Sequence, residues 1–166
     1  MRRFFLYTVG LLVLAADQLT KFAAATRLLV GQSRPLWGSY VSLALQRNTG
    51  AAFGLFPAAN IALIALAALT IVFITVWGTR IAKSNNLLTA GLGMALGGAA
   101  GNLIDRLRLG YVIDFIDLHF WPVFNVADIG ITCGAILVVI ALLLNARTKQ
   151  RNTSPQGPSS TTSSPK

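Results

Sequence analysis

All five acidic residues of this 166-residue chain are aspartates, and carboxylates are its strongest candidates for chemistry. Two carboxylates held close together cannot both ionise cheaply, so such a pair shares a proton. The ionised member can act as a base toward water while the protonated member acts as an acid toward a carbonyl oxygen. Spacing alone does not decide which two residues would pair. The five candidates are Asp17, Asp105, Asp114, Asp117 and Asp128.

Other common chemistries lack the residues they need. The single histidine, His119, and the single cysteine, Cys133, cannot build a zinc site of the usual kinds. The sequence has no GxSxG elbow, no Walker loop and no GxGxxG followed by an acid. We therefore expect neither a metal nor a cofactor, and interpret the lone cysteine as a small apolar packing residue.

Two aspartates also have simple structural interpretations as ion-pair partners. Asp17 and Lys21 are spaced i, i+4 on a predicted helix, which favours an ion pair. Asp105 adjoins Arg106, and we interpret these two as a structural pair.

The remaining candidates have structural alternatives of other kinds. Asn125 and Asp128 fit a helix N-cap with an acid at the third position, where it suits the helix dipole. Asp117 is most simply a solvated loop residue. The sequence pattern leaves these alternatives open for each aspartate.

The elements that must position the aspartates are predicted membrane helices. Apolar residues make up 54% of the chain and charged residues 11%, which argues against a soluble domain. A bilayer core takes ~20 predominantly apolar residues to span. The first span resembles a cleavable signal peptide, but further spans follow and we favour a retained helix. The predicted spans are residues 4–25, 58–78, 87–107 and 128–145.

Basic residues predict the orientation of these spans. The net charge is +9, yet the basic residues flank apolar runs instead of forming a stripe, so we do not expect nucleic-acid binding. The more basic side is expected to be cytoplasmic, which places both termini there. At ~1.5 Å rise per residue, Asp17 and Asp105 lie near the outer ends of their helices. Because the other three follow the third span, all five aspartates gather at the outer side, as candidates for function.

The fold class predicted is an all-α membrane protein of four transmembrane helices, with a small extracytoplasmic β-containing segment between helices 1 and 2. That segment covers residues 28–56, with a strand at 41–46 and a turn at 48–50. The third span carries five glycines, so we expect it at the centre of the bundle. Residues 1–147 form one predicted domain. Residues 148–166 are interpreted as a disordered cytoplasmic tail, because they have almost nothing to bury.

Five short motifs resemble the motif blocks of the bacterial lipoprotein signal peptidase family, also called signal peptidase II. They occur in that family's order, and the resemblance covers residues 4–146. The blocks are DQLTK at 17–21, RNTGAAF at 47–53, GNLIDR at 101–106, VIDF at 112–115 and FNVAD at 124–128.

The resemblance implies a role for each matched position. It implies that Asp114 and Asp128 are the catalytic dyad, and that Asp105 is a structural partner. Polar positions that line the site or orient the dyad are Asn48, Asn102, Arg106 and Asn125. First-helix positions that support the bundle and the site are Asp17 and Lys21.

The implied reaction removes the signal peptide from prolipoproteins by cutting before a cysteine that carries a diacylglyceryl group. It takes place at the outer face of the cytoplasmic membrane. The implied partners are these lipid-modified substrates and membrane lipids, and a monomer is expected. Two departures stand out: the stretch from Phe115 to Asn125 is short, and Ile129 follows Asp128 where a small hydroxyl residue is common.

Two other functions compete with this interpretation. A small transporter or channel could use the aspartates as a proton relay, but relay acids would be spread over the membrane depth. A non-catalytic assembly factor could use the glycines of the third span as a dimer face, but it gives no reason for the aspartates to cluster.

Overall fold

The computed structural model describes residues 2–38, 40–50, 57–82 and 85–153. Its order is α1 (Arg2–Arg27), β1 (Ser33–Trp37), β2 (Val41–Asn48), α2 (Pro57–Ala82), α3 (Asn86–Leu109), β3 (Val112–Asp117) and α4 (Val126–Thr153). All four helices are long and apolar enough to cross a membrane. Large apolar side chains such as Leu11, Ile61 and Leu143 point outward and are more than half exposed, as a bundle surrounded by lipid requires.

Helix α3 lies at the centre, as its glycines predict. It packs against each of the other three helices, and its apolar stretch is 56% buried against 11–22% for theirs. A Cβ at Gly97 would collide with the backbone carbonyl of Gly10 on α1, and one at Gly98 with that of Ala127 on α4. The absence of side chains at these two positions therefore lets three backbones approach closely.

The ends of α3 are fixed by local hydrogen bonds. Asn85 caps the start, since its side chain accepts a hydrogen bond from the N–H of Leu88 at 3.0 Å. Gly110 ends the helix in the left-handed conformation (φ 80°) and donates its N–H to the carbonyl of Arg106. The chain thus turns sharply into β3, two residues later.

The three strands form one antiparallel sheet in the order β1-β2-β3. Strands β1 and β2 come from the connection between α1 and α2, and β3 comes from the connection between α3 and α4. The sheet therefore joins these two connections. Gln46 of β2 pairs with Asp114 of β3, and Asn48 pairs with Val112. A small apolar cluster packs the sheet against the C-terminal end of α1; its buried members are Ala24, Leu28, Leu45 and Phe115.

These observations confirm the predicted fold class and correct several details. The strand predicted at 41–46 is β2, and the turn at 48–50 is closed by the Gly50 N–H donating to Asn48 Oδ1 at 2.8 Å. Strands β1 and β3 are not anticipated by the sequence pattern. Helix α4 continues to Thr153, beyond the predicted end at residue 145 and into the predicted tail. Residues 51–56 and 154–166 of the predicted outer segment and tail lie outside the described residues.

Candidate active site

Asp114 and Asp128 meet where β3 and the start of α4 come together. Asp114 is 2% exposed and accepts two hydrogen bonds from amide side chains. Asn125 Nδ2 donates to its Oδ1 at 2.6 Å, and Asn48 Nδ2 donates to its Oδ2 at 2.9 Å. The strand pairing of β2 with β3 is what brings Asn48 across to this carboxyl group.

Asp128 is held by the N-terminus of α4. Its backbone N–H donates to Asn125 Oδ1 at 3.0 Å, and its Oδ2 accepts the N–H of Asn125 at 3.2 Å. This reciprocal pair is a capping box, which confirms the predicted cap. Asn102 Nδ2 donates to Asp128 Oδ1 at 2.8 Å. The positive end of the helix dipole also favours the ionised form of a carboxylate in the first turn.

Asn125 joins the two aspartates. Its amide nitrogen donates to Asp114 Oδ1 and to Asn102 Oδ1, while its amide oxygen accepts from the N–H of Asp128. Asn125 is fully buried, so water does not compete for these bonds. The Asn125 side chain therefore ties the Asp114 carboxyl group to the start of α4, while the backbone N–H of Asn125 holds the Asp128 carboxylate.

The environment of Asp114 favours its protonated form. Burial away from water raises the pKa of Asp114 to about 6, and the negative charge of Asp128 adds to this effect. The hydrogen bonds from Asn48 and Asn125 act in the opposite direction and do not cancel it. Asp128 is only half-buried and borders two cavities. The two carboxyl groups thus differ in their contact with the surroundings, because Asp114 is buried and Asp128 faces the cavities.

A second carboxylate cluster surrounds Lys21 and adjoins the first through Asn102. Lys21 is 2% exposed, and its ammonium contacts three oxygens. They are Asp17 Oδ2 at 2.9 Å, Asp105 Oδ2 at 2.8 Å and Asn102 Oδ1 at 2.9 Å. An ammonium has three donors, so all of them are satisfied. The predicted Asp17–Lys21 pair is confirmed. The predicted Asp105–Arg106 pair is wrong, because the Asp105 carboxylate reaches across to α1.

Asn102 links the two clusters. Its oxygen accepts from Lys21, which has only donors, so its Nδ2 must face Asp128. The ion pair below therefore sets the orientation of an amide that donates to the candidate dyad. Asp17 adds a second link, because its Oδ1 accepts the N–H of Ala127 in the first turn of α4 at 2.8 Å.

Two residues of this network do not appear among the predicted site residues. Gln18 Nε2 lies within hydrogen-bond distance of Asp17 Oδ2 (3.2 Å), Asp105 Oδ1 (3.1 Å) and the carbonyl oxygen of Gly101 (3.3 Å). A Cβ at Gly101 would collide with the Asp17 carboxylate. Both residues lie inside the quoted motif blocks, which is the signal that could have found them.

Arg106 borders the same region from α3. Its Nη1 donates to the carbonyl of Asn102 at 3.3 Å, and its Nε is buried without a hydrogen-bond partner among the described residues. The guanidinium lies in the electrostatic field of Asp105, Asp114 and Asp128. It also lines a cavity that Asp128 borders.

Two cavities flank Asp128. The first has a volume of about 330 Å³ and lies between α4 and the segment that follows β3. The second, about 270 Å³, lies between α2, α3 and α4 and includes Arg106 and Asn102 in its wall. Most of the lining of both is apolar. A molecule that places apolar groups in both cavities could therefore reach Asp128, which lies between them.

The structure brings together every predicted site residue and leaves Asp117 out. Asp117 was predicted to be a solvated loop residue, and this is wrong. It ends β3, its side chain is 21% exposed, and its Oδ1 accepts the N–H of His119 at 2.7 Å. Within the described residues, no group of three or more His, Cys, Asp or Glu side chains could hold a metal ion.

A family model described as signal peptidase (SPase) II matches residues 9–144, which include the whole site. The chain belongs to the signal peptidase II family. Its relatives include the lipoprotein signal peptidase of Moorella thermoacetica, 44% identical over 83% of this chain and 92% of that protein. The enzyme of the same name from Oleidesulfovibrio alaskensis is 44% identical over 85% of this chain and 96% of that protein.

Membership of the signal peptidase II family is matched by the fold. A solved structure described as a bacterial membrane enzyme, determined by the in meso method, superposes with a TM-score of 0.77 at 28% identity. The match covers 92% of this chain and 93% of that one. Together with the four apolar helices, this makes this signal peptidase II chain a multi-pass membrane protein.

Proposed function

We propose that this chain removes the signal peptide from lipid-modified prolipoproteins, with Asp114 and Asp128 as its catalytic pair. The observation that carries the proposal is that Asn125 donates to both carboxyl groups, with its side-chain amide to Asp114 and with its backbone N–H to Asp128. The bond cut precedes the cysteine that carries the diacylglyceryl group, as in the family this chain belongs to.

The different surroundings of the two carboxyl groups suggest a role for each. We propose that Asp114, whose pKa is raised by burial to about 6, carries the proton that the pair shares, while half-buried Asp128 acts as the base. Asp128 takes a proton from a water molecule as that water attacks the scissile carbonyl carbon, and Asp114 gives its proton to the carbonyl oxygen. Asp128 then gives its proton to the amide nitrogen while Asp114 takes a proton back from a hydroxyl of the tetrahedral intermediate. The C–N bond breaks, which releases a carboxylic acid and an amine and restores both aspartates to their starting states. The negative charge of Asp128 adds to the rise in the pKa of Asp114.

The neighbouring polar side chains hold this pair or face the substrate. Asn48 and Asn125 orient Asp114, while Asn102 and Asn125 orient Asp128. Arg106 lines the second cavity and carries a positive charge, so we propose that it hydrogen-bonds a carbonyl of the substrate. Asp17 and Lys21 support the site through their hydrogen bonds to Ala127 and Asn102.

A lipid-anchored substrate suits the position of the site. Its acyl chains lie in the bilayer, so the bond beside its modified cysteine is held near the membrane surface. Asp128 lies between two largely apolar cavities, which can accept the apolar groups on either side of that bond. We also propose that the protein acts as a monomer, because one chain contains both carboxyl groups and the amide side chains that hold them.

The test is a cleavage assay with purified protein in detergent. Two synthetic peptides of the same sequence are compared, one with a diacylglyceryl group on the cysteine and one with a free thiol. We expect a cut before the cysteine in the lipid-modified peptide and little or none in the other. Equal cleavage of both, or cleavage elsewhere, would reject the proposed specificity.

We also propose that both termini face the cytoplasm. Four spanning helices place the two ends on the same side, and basic residues favour the cytoplasmic side. A reporter enzyme fused after Thr153 should be active only if it functions in the cytoplasm. Activity of a reporter that works only outside the cytoplasm would overturn this topology.

The residues after α4 are proposed to be dispensable for catalysis. Residues 154–166 contain only Ser, Thr, Pro, Gln, Gly and Lys, so they offer little to bury. Ending the chain after Thr153 should leave cleavage of the lipid-modified peptide unchanged. A large loss of activity would show that these residues take part.

A further inference from the structure

A second polar cluster lies on the outer sheet, away from the candidate dyad. Ser42 Oγ, in the central strand, is 3.1 Å from His119 Nε2. His119 Nδ1 is 3.7 Å from Asp117 Oδ2, and the backbone N–H of His119 donates to Asp117 Oδ1 at 2.7 Å. Ser42 and Asp117 are cross-strand partners in the sheet. We call these three residues the clasp.

The backbone conformation of His119 indicates that the contact between Ser42 and His119 does more than fill space. His119 has φ 65° and is the only non-glycine residue with positive φ among those the structure describes. A side chain rarely adopts this conformation unless its surroundings hold it there. The two hydrogen bonds of the clasp hold it, one through the backbone and one through the imidazole.

The clasp anchors one end of the segment that forms a wall of the first cavity. Phe124, at the other end, exchanges hydrogen bonds with Ile116 of β3 at 2.9 and 3.0 Å. Between these anchors, Phe120 and Trp121 are 81% and 63% exposed and line the cavity beside Asp128. The position of this wall therefore depends on how the segment is fixed at His119.

The order Ser–His–Asp also resembles a nucleophilic triad, but the geometry argues against that role. Ser42 is 4% exposed in the middle of the sheet, so a substrate carbonyl cannot reach its hydroxyl. The 3.7 Å between His119 and Asp117 side-chain atoms is too long for a hydrogen bond. These distances fit a structural role better, in which the clasp holds the adjacent wall of the first cavity.

We propose that His119 is a positioning residue, which holds Phe120 and Trp121 so that the first cavity accepts the apolar part of the substrate. This inference rests on the proposed function, because the substrate is the lipid-modified peptide cut at Asp128. His119 does not touch the reacting atoms, so its loss should weaken substrate binding more than it slows the chemical step.

The first measurement needs no substrate. In a background with Trp37→Phe and Trp77→Phe, Trp121 is the only tryptophan, and its fluorescence anisotropy reports how firmly the wall is held. His119→Gly accepts the positive φ but removes the imidazole, and Ser42→Ala removes only the hydroxyl. We expect lower anisotropy of Trp121 in both variants. Ser33→Ala, an exposed serine in the same sheet, is the matched control and should leave it unchanged.

The second measurement is steady-state cleavage of the lipid-modified peptide. We expect His119→Gly and Ser42→Ala each to raise KM by roughly 2- to 10-fold, the equivalent of one lost hydrogen bond, with kcat nearly unchanged. The double variant should be little worse than either single variant, because both remove the same contact.

Unchanged anisotropy and unchanged KM in His119→Gly would overturn the proposal, and so would a fall in kcat with KM constant. If the unmodified protein does not cleave the peptide at all, the proposed function fails. The anisotropy of Trp121 would still decide in that case whether the clasp holds the wall.

Discussion

Two pairs of aspartates lie within one network at the end of the bundle that carries the sheet, yet their partners differ. Asp17 and Asp105 share the ammonium of Lys21, which lies within 2.9 Å of both. Asp114 and Asp128 make no ion pair among the described residues. Neutral amide groups and one backbone N–H hold them instead.

The nature of the partner decides which carboxylates are available for chemistry. A buried carboxylate paired with an ammonium stays ionised and costs several kcal/mol to leave unpaired, so it suits a structural role. A buried carboxyl group held only by neutral donors can gain or lose its proton at moderate cost. We call Asp17 and Asp105 the rigid pair, and the proposed catalytic residues Asp114 and Asp128 the reactive pair. Asn102 contacts both Lys21 and Asp128, so the ion pairs of the rigid pair help to orient the reactive pair.

The largest effect is expected from removing the exchangeable proton of the reactive pair. Asp114→Asn and Asp128→Asn should each lower kcat by about 10²- to 10⁴-fold, the usual contribution of a general acid or base. The double variant should be little worse, since the two residues act as a unit. Cleavage of the lipid-modified peptide measures this, and circular dichroism checks that each variant folds.

Asp117→Asn is the control for this experiment. Asparagine keeps an oxygen that can accept the His119 N–H, and Asp117 lies outside the pair. Turnover should therefore stay close to that of the unmodified protein. If Asp117→Asn abolished turnover while Asp114→Asn retained it, the choice of catalytic pair would be wrong.

The next largest effect concerns the rigid pair. Lys21→Met leaves the buried carboxylates of Asp17 and Asp105 without their cation, which should lower the free energy of unfolding by about 3–5 kcal/mol. Thermal unfolding in detergent measures this. Arg27→Met removes an exposed cation from the same helix and should change little. An equal melting temperature for both variants would show that Lys21 does not stabilise the network.

A smaller effect, dependent on pH, is expected from Asp114. Its pKa is raised to about 6 in the folded protein, against about 3.9 in an unfolded chain. Between these values the folded state binds more protons than the unfolded state, so stability falls as pH rises. The loss attributable to Asp114 is about 3 kcal/mol above pH 6 and absent below pH 4.

Asp114→Asn removes this titration. The melting temperature of the variant, relative to the unmodified protein, should therefore rise as pH increases from 4 to 7. A difference that is constant over this range would mean that Asp114 keeps an ordinary pKa. Any fixed cost of the asparagine side chain cancels in this comparison, because it contributes equally at every pH.

The sequence predicts most of this arrangement because its signals are local. The apolar runs give four helices, the glycines place α3 at the centre, and the i, i+4 spacing gives the Asp17–Lys21 pair. The Asn125–Asp128 cap is equally local. Site residues from distant segments were identified by resemblance to a family, since spacing could not choose a pair.

The long-range contacts could not be predicted in this way. Asp105 and Arg106 are neighbours in sequence, but adjacent helical positions point to different faces, and Asp105 faces α1. Strand β3 takes its partner from a segment more than 60 residues earlier, so six residues of its own carry little signal. Asp117 was assigned to a loop for the same reason.

The smallest effect is expected from Asp105→Asn, which makes the same substitution in the rigid pair as Asp128→Asn makes in the reactive pair. Lys21 keeps the carboxylate of Asp17, so no buried charge loses its only partner. Asp105 accepts from Lys21, Gln18 and the N–H of Ile113, and the new amide can still accept on one oxygen. We expect a loss of about 1–2 kcal/mol in unfolding free energy, the equivalent of one or two hydrogen bonds, and turnover within a few-fold of the unmodified protein. Thermal unfolding and the cleavage assay, run together on Asp105→Asn and Asp128→Asn, measure the contrast.

If Asp105→Asn lost turnover as completely as Asp128→Asn while remaining folded, the two pairs would not differ in kind. The distinction between an ammonium-held and an amide-held carboxylate would then have no bearing on catalysis.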